Sequence, residues 1–114
     1  MRPGLPFASQ LLKGTTPLLV LAVIGEGELY GYEIAQRVRE QSGGAFAPSE
    51  GSLYPALHRL EADGALVASW RHSDRGPRRR YYGLTDRGRG LLAESRAEWG
   101  AFVRTVNQVT VDGR

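Results

Sequence analysis

The feature that most constrains this chain lies near its C-terminus. Gly88, Leu92, Ser95, Trp99, Phe102, Val106 and Val109 recur at alternating steps of four and three. That spacing is a heptad seam along one face of an α-helix. Thr85 can cap the helix, which is expected to run from Asp86 to about Val109. At about 1.5 Å per residue it spans roughly 36 Å, more than so small a chain can cover by itself. The exposed end of the seam needs a partner, and a second copy of the chain is the simplest. Gly88 and Ser95 are weak seam residues, so the pattern predicts helix pairing rather than a stable isolated zipper. Leu92, Trp99, Phe102 and Val106 are the expected contacts across the pair.

Upstream, the apolar pattern breaks into short pieces. Leu18 to Ile24 is apolar all round and ends at Gly25-Glu26-Gly27, which reads as a buried helix. Thr16 can cap it, with Pro17 in the first helical position, where a missing N–H costs nothing. Leu11 and Leu12 precede it, either in a separate turn or in one longer helix kinked at Pro17. Ile34, Ala35 and Val38 form the stripe of a second helix, stopped by Ser42-Gly43-Gly44. Leu53, Ala56, Leu57 and Leu60 mark a third, ended by Asp63-Gly64. Its cap is Ser49 or Ser52. Pro55 loses a backbone bond only in the first case, so a start near Ser52 is expected. Leu66 to Arg71 then reads as a strand with Leu66, Ala68 and Trp70 on one face. Ser73 to Pro77 is a turn, and Arg78 to Leu84 the return strand, with Tyr82 and Leu84 on a shared face.

Three helices followed by a two-stranded hairpin is the winged helix-turn-helix plan. The expected fold is therefore mainly α with a small β hairpin: a winged helix-turn-helix plus a long C-terminal dimerisation helix. The expected division is a DNA-binding part at 1–84, including the N-terminal helix, and a dimerisation helix at 85–114.

Charge supports this reading. The net charge is only +3, but 14 of the 15 basic residues are Arg. Seven of them, Arg71, Arg75, Arg78, Arg79, Arg80, Arg87 and Arg89, face only Asp74 and Asp86 between positions 71 and 89. The planar guanidinium fork suits phosphate oxygens and guanine edges. The competing reading is a solvated hairpin in an Arg-rich composition.

Other classes find little support. There are no cysteines, so disulfides and thiolate metal sites are excluded. The longest apolar run, 18–24, is far short of the about 20 residues a membrane helix needs. Met1 to Pro6 does not read as a signal peptide, and a cytoplasmic location is expected. His58 and His72 have no metal-ligand spacing. Gly88-Arg89-Gly90-Leu91-Leu92-Ala93 fits a loose dinucleotide fingerprint, but a hairpin strand precedes it and no parallel strand follows. Lys13-Gly14-Thr15 has the wrong order for a Walker motif. Glu26, Glu28 and Glu33 flank a turn and read as solvated. No catalytic residue, metal or cofactor is expected.

The outward residues of the third helix are Ser49, Ser52, Tyr54, Pro55, His58, Arg59 and Ala62. The front of a recognition helix meets base edges, and its N-terminus favours phosphate. Each residue also has a plainer role. The serines can act as caps, Tyr54 can be half-buried core, His58 can be plain surface, and Arg59 can pair with Glu61 or Glu40.

Tyr30-Gly31-Tyr32-Glu33-Ile34, the segment from Gly51 to Gly64, and Arg79-Arg80-Tyr81-Tyr82-Gly83-Leu84-Thr85 resemble, in order and spacing, three signatures of the PadR family of transcriptional regulators. The resemblance covers roughly residues 9–108 and points to the short subfamily. There a single C-terminal helix and the N-terminal helix make the dimer. It implies a sequence-specific regulator, usually a repressor, that binds a near-palindromic operator and is released by a small aromatic or drug-like ligand. Carried over by position, it implies DNA contacts at Tyr32, Ser49, Ser52, Tyr54 and His58, with Arg75, Arg78 and Arg79 in the wing; Arg59 joins the DNA-contact candidates from its outward place on the third helix alone. It places Trp99 where some members stack planar ligands, with Leu11 and Leu18 lining the same cavity; the plainer alternative is that Trp99 fills the dimer interface. Pro17 is a departure from the family pattern. A winged-helix protein–protein adaptor and a small-molecule-binding protein without DNA binding are the alternatives. The basic hairpin argues against the first.

Overall fold

The computed structural model describes residues 8–73 and 76–111; for 8–13 and residue 73 the description is of the backbone alone. The chain runs α1 (Ala8–Ile24), β1 (Glu28–Tyr30), α2 (Gly31–Gln41), α3 (Glu50–Ala62), β2 (Leu66–Ser73), β3 (Gly76–Leu84) and α4 (Asp86–Thr110). The three N-terminal helices, the hairpin and the long last helix thus appear in the expected order. Three details differ.

The first concerns α1, which continues through Pro17 as one helix. Thr16 does not cap it and lies buried inside it. An interior proline costs about 3 kcal/mol. Burial of Val20, Leu21, Val23 and Ile24 in the core outweighs that, at roughly 1.5–3 kcal/mol for each large side chain.

The second concerns α3, which starts one turn earlier than expected, with Ser49 at the N-cap and Pro55 inside the helix. The expectation of a start near Ser52 fails because the added turn forms its own bonds. The Ser49 carbonyl accepts from the N–H of Ser52 at 3.1 Å and of Leu53 at 2.8 Å. These compensate the bond that Pro55 cannot donate to Gly51.

The third is an additional strand. The two-stranded hairpin is the larger part of a three-stranded antiparallel sheet of order β1-β3-β2. Leu29 pairs with Tyr82 and Tyr30 with Tyr81. Three residues are too few to show a period in sequence.

The core joins α1, α2, α3 and one face of the sheet. Leu21, Ile34, Leu57 and Val20 are its largest fully buried side chains. Ala68 pairs with Tyr82 and Leu66 with Leu84, so the inner sheet face carries Leu66, Tyr82 and Leu84 into the core, as their alternation predicts. Burial pushes the Tyr82 phenol above its ordinary pKa.

α4 is anchored at its first turn. The Thr85 hydroxyl accepts from the Gly88 N–H at 3.0 Å and donates to the Gly64 carbonyl. A Cβ at Gly88 would collide with the Ala65 carbonyl oxygen. Gly88 is therefore a point of close helix–loop contact within the chain, not a seam position facing a second copy.

Candidate nucleic-acid interface

The front of α3 follows from how its back is held. Leu53, Ala56, Leu57 and Leu60 are buried, which leaves Ser49, Tyr54, His58 and Arg59 exposed and Ser52 half-exposed. Tyr54 is placed by glycine. A Cβ at Gly31 would lie 2.6 Å from the Tyr54 hydroxyl, so the first turn of α2 can approach this ring only without a side chain. That is the physical sense of the Tyr-Gly-Tyr order in α2. Ser49 occupies the N-cap but makes no side-chain capping bond. Its hydroxyl lies 3.4 Å from that of Ser52, which donates to the Ser49 carbonyl. Both hydroxyls stay at the exposed helix N-terminus rather than serving as caps. Arg59 pairs with neither Glu61 nor Glu40 among the described residues.

The hairpin sorts its arginines by strand alternation and by available partners. Arg80 donates to Glu61 on α3 at 2.7 Å. Arg87 donates to the Asp63 carbonyl at 2.7 Å. Arg89 bridges Asp86 and the Leu84 carbonyl. Arg71 pairs with Glu28 across the outer sheet face. Glu28 is thus not simply solvated; nor is Glu33, which accepts from the Tyr30 N–H at 3.2 Å. Arg78 and Arg79 have no carboxylate partner among the described residues. Arg78 rests 5.1 Å from the Trp70 ring centroid and Arg79 4.5 Å from that of Tyr30. Each guanidinium group sits over a ring face, which leaves its N–H donors unclaimed by carboxylates of the described residues. Arg75 lies outside the described residues.

The two elements meet in an open groove of about 430 Å³ lined by Tyr30, Gly31, Tyr54, His58, Trp70, Arg78, Arg79, Arg80 and Tyr82. Four expected contacts, Tyr54, His58, Arg78 and Arg79, therefore share one concave surface lined by no carboxylate among the described residues. Phenol, imidazole and guanidinium groups can all donate to the acceptor-only oxygens of a phosphodiester. Tyr32 is not in the lining. It is strongly exposed beside Tyr30, with ring centroids 6.4 Å apart. Ser49, Ser52 and Arg59 lie on another flank of α3, around a cavity of about 490 Å³ shared with Thr16 and Pro17 of α1. Trp70 and Tyr30 were not among the expected site residues. Trp70 had only the signal of its strand face, and Tyr30 none beyond its motif.

The seam on α4 divides in two. Leu92 is buried in the chain's own core, so little of its surface remains for a second copy. Trp99, Phe102, Val106 and Val109 are exposed, and the Trp99 and Phe102 rings stack at 5.8 Å. Leu18 packs half-buried against the core of the chain. Leu11 lies in the part of α1 described by backbone alone, so its side chain is outside the described residues. No cluster of three or more metal-ligating side chains occurs among the described residues.

Three short helices, a small sheet with a cationic wing and a groove between wing and third helix define a winged helix-turn-helix protein. Residues 20–94 match the profile of the transcriptional regulator PadR-like family, and the chain belongs to that family. It is 40% identical over 89 residues to the transcriptional regulator Rv3488 of Mycobacterium tuberculosis, covering 78% of this chain and 79% of that one. A transcriptional regulator from Clostridium thermocellum superposes with a TM-score of 0.81 at 27% identity, over 89% of this chain and 98% of that one. Bacillus subtilis PadR in complex with operator DNA superposes with a TM-score of 0.62 at 26% identity, over 68% of this chain and 44% of that one. The chain is a transcriptional regulator of the PadR-like family, and its chemistry is recognition rather than catalysis.

Proposed function

We propose that this chain is a cytoplasmic, homodimeric repressor that binds a near-palindromic operator in double-stranded DNA and leaves it when a small aromatic compound binds. The observation that carries the reading is the groove in which Tyr54 and His58 of α3 face Arg78 and Arg79 of the wing. A backbone strand seated there lets α3 enter the major groove with Ser49 and Ser52 leading. The structural relative in complex with operator DNA supports DNA as the partner. Tyr32, Arg59 and Arg75 would add backbone contacts beside it. In a two-fold dimer the two α3 helices would meet successive major grooves about 34 Å apart.

The exposed half of α4 supports pairing, since Trp99, Phe102 and Val106 form an exposed apolar strip. In function the chain divides into a reading part at 1–84 and a pairing helix at 85–114, although the first turns of that helix pack on the reading part. A planar effector would stack on Trp99, with Leu11 and Leu18 of α1 beside it. By favouring one spacing of the two reading heads it would lower operator affinity.

The test is a fluorescence-anisotropy titration of the full chain with a labelled duplex from upstream of its own gene, repeated over a salt series. Affinity is expected to fall steeply with salt, to exceed that for an unrelated duplex, and to drop on adding a planar cationic dye. Equal affinity for both duplexes would remove the operator; indifference to dye would remove the effector.

A further inference from the structure

We propose that Trp70 is a direct contact to the DNA backbone, an assignment that rests on the regulator reading above. The β2–β3 register places Trp70 opposite Arg80, on the sheet face that also carries Tyr82 and Leu84. Nearer the core that face is covered by α3. At Trp70 the cover ends, and the ring is 56% exposed. An indole left that open contributes little to the fold it sits on.

Its surroundings name the partner. Trp70 lines the groove with Tyr54, His58, Arg78 and Arg79, so the wall is rich in hydrogen-bond donors, with no carboxylate among the described residues. The indole N–H is donor-only and has no hydrogen-bond partner among the described residues. A phosphodiester supplies acceptors for all these groups, and its deoxyribose supplies an apolar face for the ring. A protein partner fits less well, because Arg78, Arg79 and Arg80 line the groove beside the indole with cationic groups instead of a continuous apolar patch. The Arg78 guanidinium, 5.1 Å from the ring centroid, is held by the indole at the mouth of the same groove. Ring and fork therefore meet one strand together, the fork on an oxygen and the ring on the adjoining sugar.

The chain has two tryptophans, so fluorotryptophan labelling of the full protein gives two fluorine resonances, and W70F identifies that of Trp70. The probe is sonicated mixed-sequence duplex DNA at about 50 mM salt, where backbone contacts dominate. Saturation is expected to shift the Trp70 line and remove its solvent-isotope sensitivity. In parallel, W70A is expected to weaken binding roughly tenfold, the scale of a lost hydrogen bond to a charged group, with W70F recovering the ring-dependent part. Far-ultraviolet circular dichroism checks that both variants fold. A duplex that saturates the protein without moving the Trp70 line overturns the contact and leaves the regulator reading intact. So does a folded W70A protein that binds like the unmodified chain. If no duplex binds at any salt, the regulator reading falls first and the contact with it.

Discussion

The tip and the root of the hairpin carry the same residue type with opposite consequences. At the tip, Arg78 and Arg79 lean on aromatic rings and keep their donors unclaimed by carboxylates. At the root, Arg80, Arg87 and Arg89 are tied to Glu61, the Asp63 carbonyl, and Asp86 with the Leu84 carbonyl. One arginine run thus holds two populations. The root, with the first turn of α4, ties wing, α3 and α4 together, while the tip faces outward. A charge run read as a uniform basic patch misses this. What an arginine does is set by which acceptors lie within its reach, and only the sheet register and the approach of α4 decide that.

The contrast can be broken experimentally. The largest effect is expected from replacing Arg78 and Arg79 together by alanine. In the proposed dimer four charge-assisted phosphate contacts are lost, two per protomer, which should weaken duplex binding by more than roughly 100-fold. The log-affinity against log-salt line should also flatten by about 4, read from anisotropy titrations. An unchanged slope would deny the tip any role in binding.

Next comes Gly88→Ala at the root. The added methyl meets the Ala65 carbonyl oxygen, so α4 must shift. Chemical denaturation should show a loss of about 2 kcal/mol, the usual scale of overpacking. A stable G88A protein would mean that α4 is not anchored where the structure places it.

Replacing Arg87 and Arg89 together by alanine should be milder. Both are exposed, so solvent screens their bonds, and the expected loss is about 1 kcal/mol. The salt slope of duplex binding should stay as it was. A slope change equal to that of the tip pair would erase the distinction between the two ends.

The smallest effect concerns Tyr82, at the foot of β3. Its pKa in the folded chain is raised above the ordinary 10.0 by burial. The unfolded chain therefore releases that proton first as pH climbs. The neutral phenol's contribution is fully present below pH 10 and is lost as pH rises through the folded value. Tyr82→Phe should make the alkaline limb of a stability–pH curve shallower than in the unmodified chain. Coincident alkaline limbs would show that the buried phenol does not titrate as described.

Much of the fold was legible because it rests on periodicity. Leu53, Ala56, Leu57 and Leu60 announce α3, and Leu66 with Tyr82 and Leu84 announce the inner sheet face. Element ends were harder wherever proline rules met packing. The local rule starts the first helix at Thr16, with a longer helix through Pro17 as the open alternative, and starts α3 at Ser52; both helices run through their prolines because the neighbouring apolar residues gain more from burial than one backbone bond is worth. In the candidate site, Tyr54, His58, Arg78 and Arg79 could be named from helix face and charge. Trp70 could not, since half of a strand's aromatics face the core and nothing local says where the cover of α3 stops.

The sequence by itself determined the order of elements, the arginine-rich wing and the apolar seam, because each is a pattern written within one contiguous segment. Tertiary structure alone decided which arginines lack a carboxylate partner among the described residues, that Leu92 and Gly88 belong to the chain's own core and anchor, and that the groove between wing and α3 includes an indole. Those outcomes depend on distances between residues far apart in the chain, and a one-dimensional period carries no information about them.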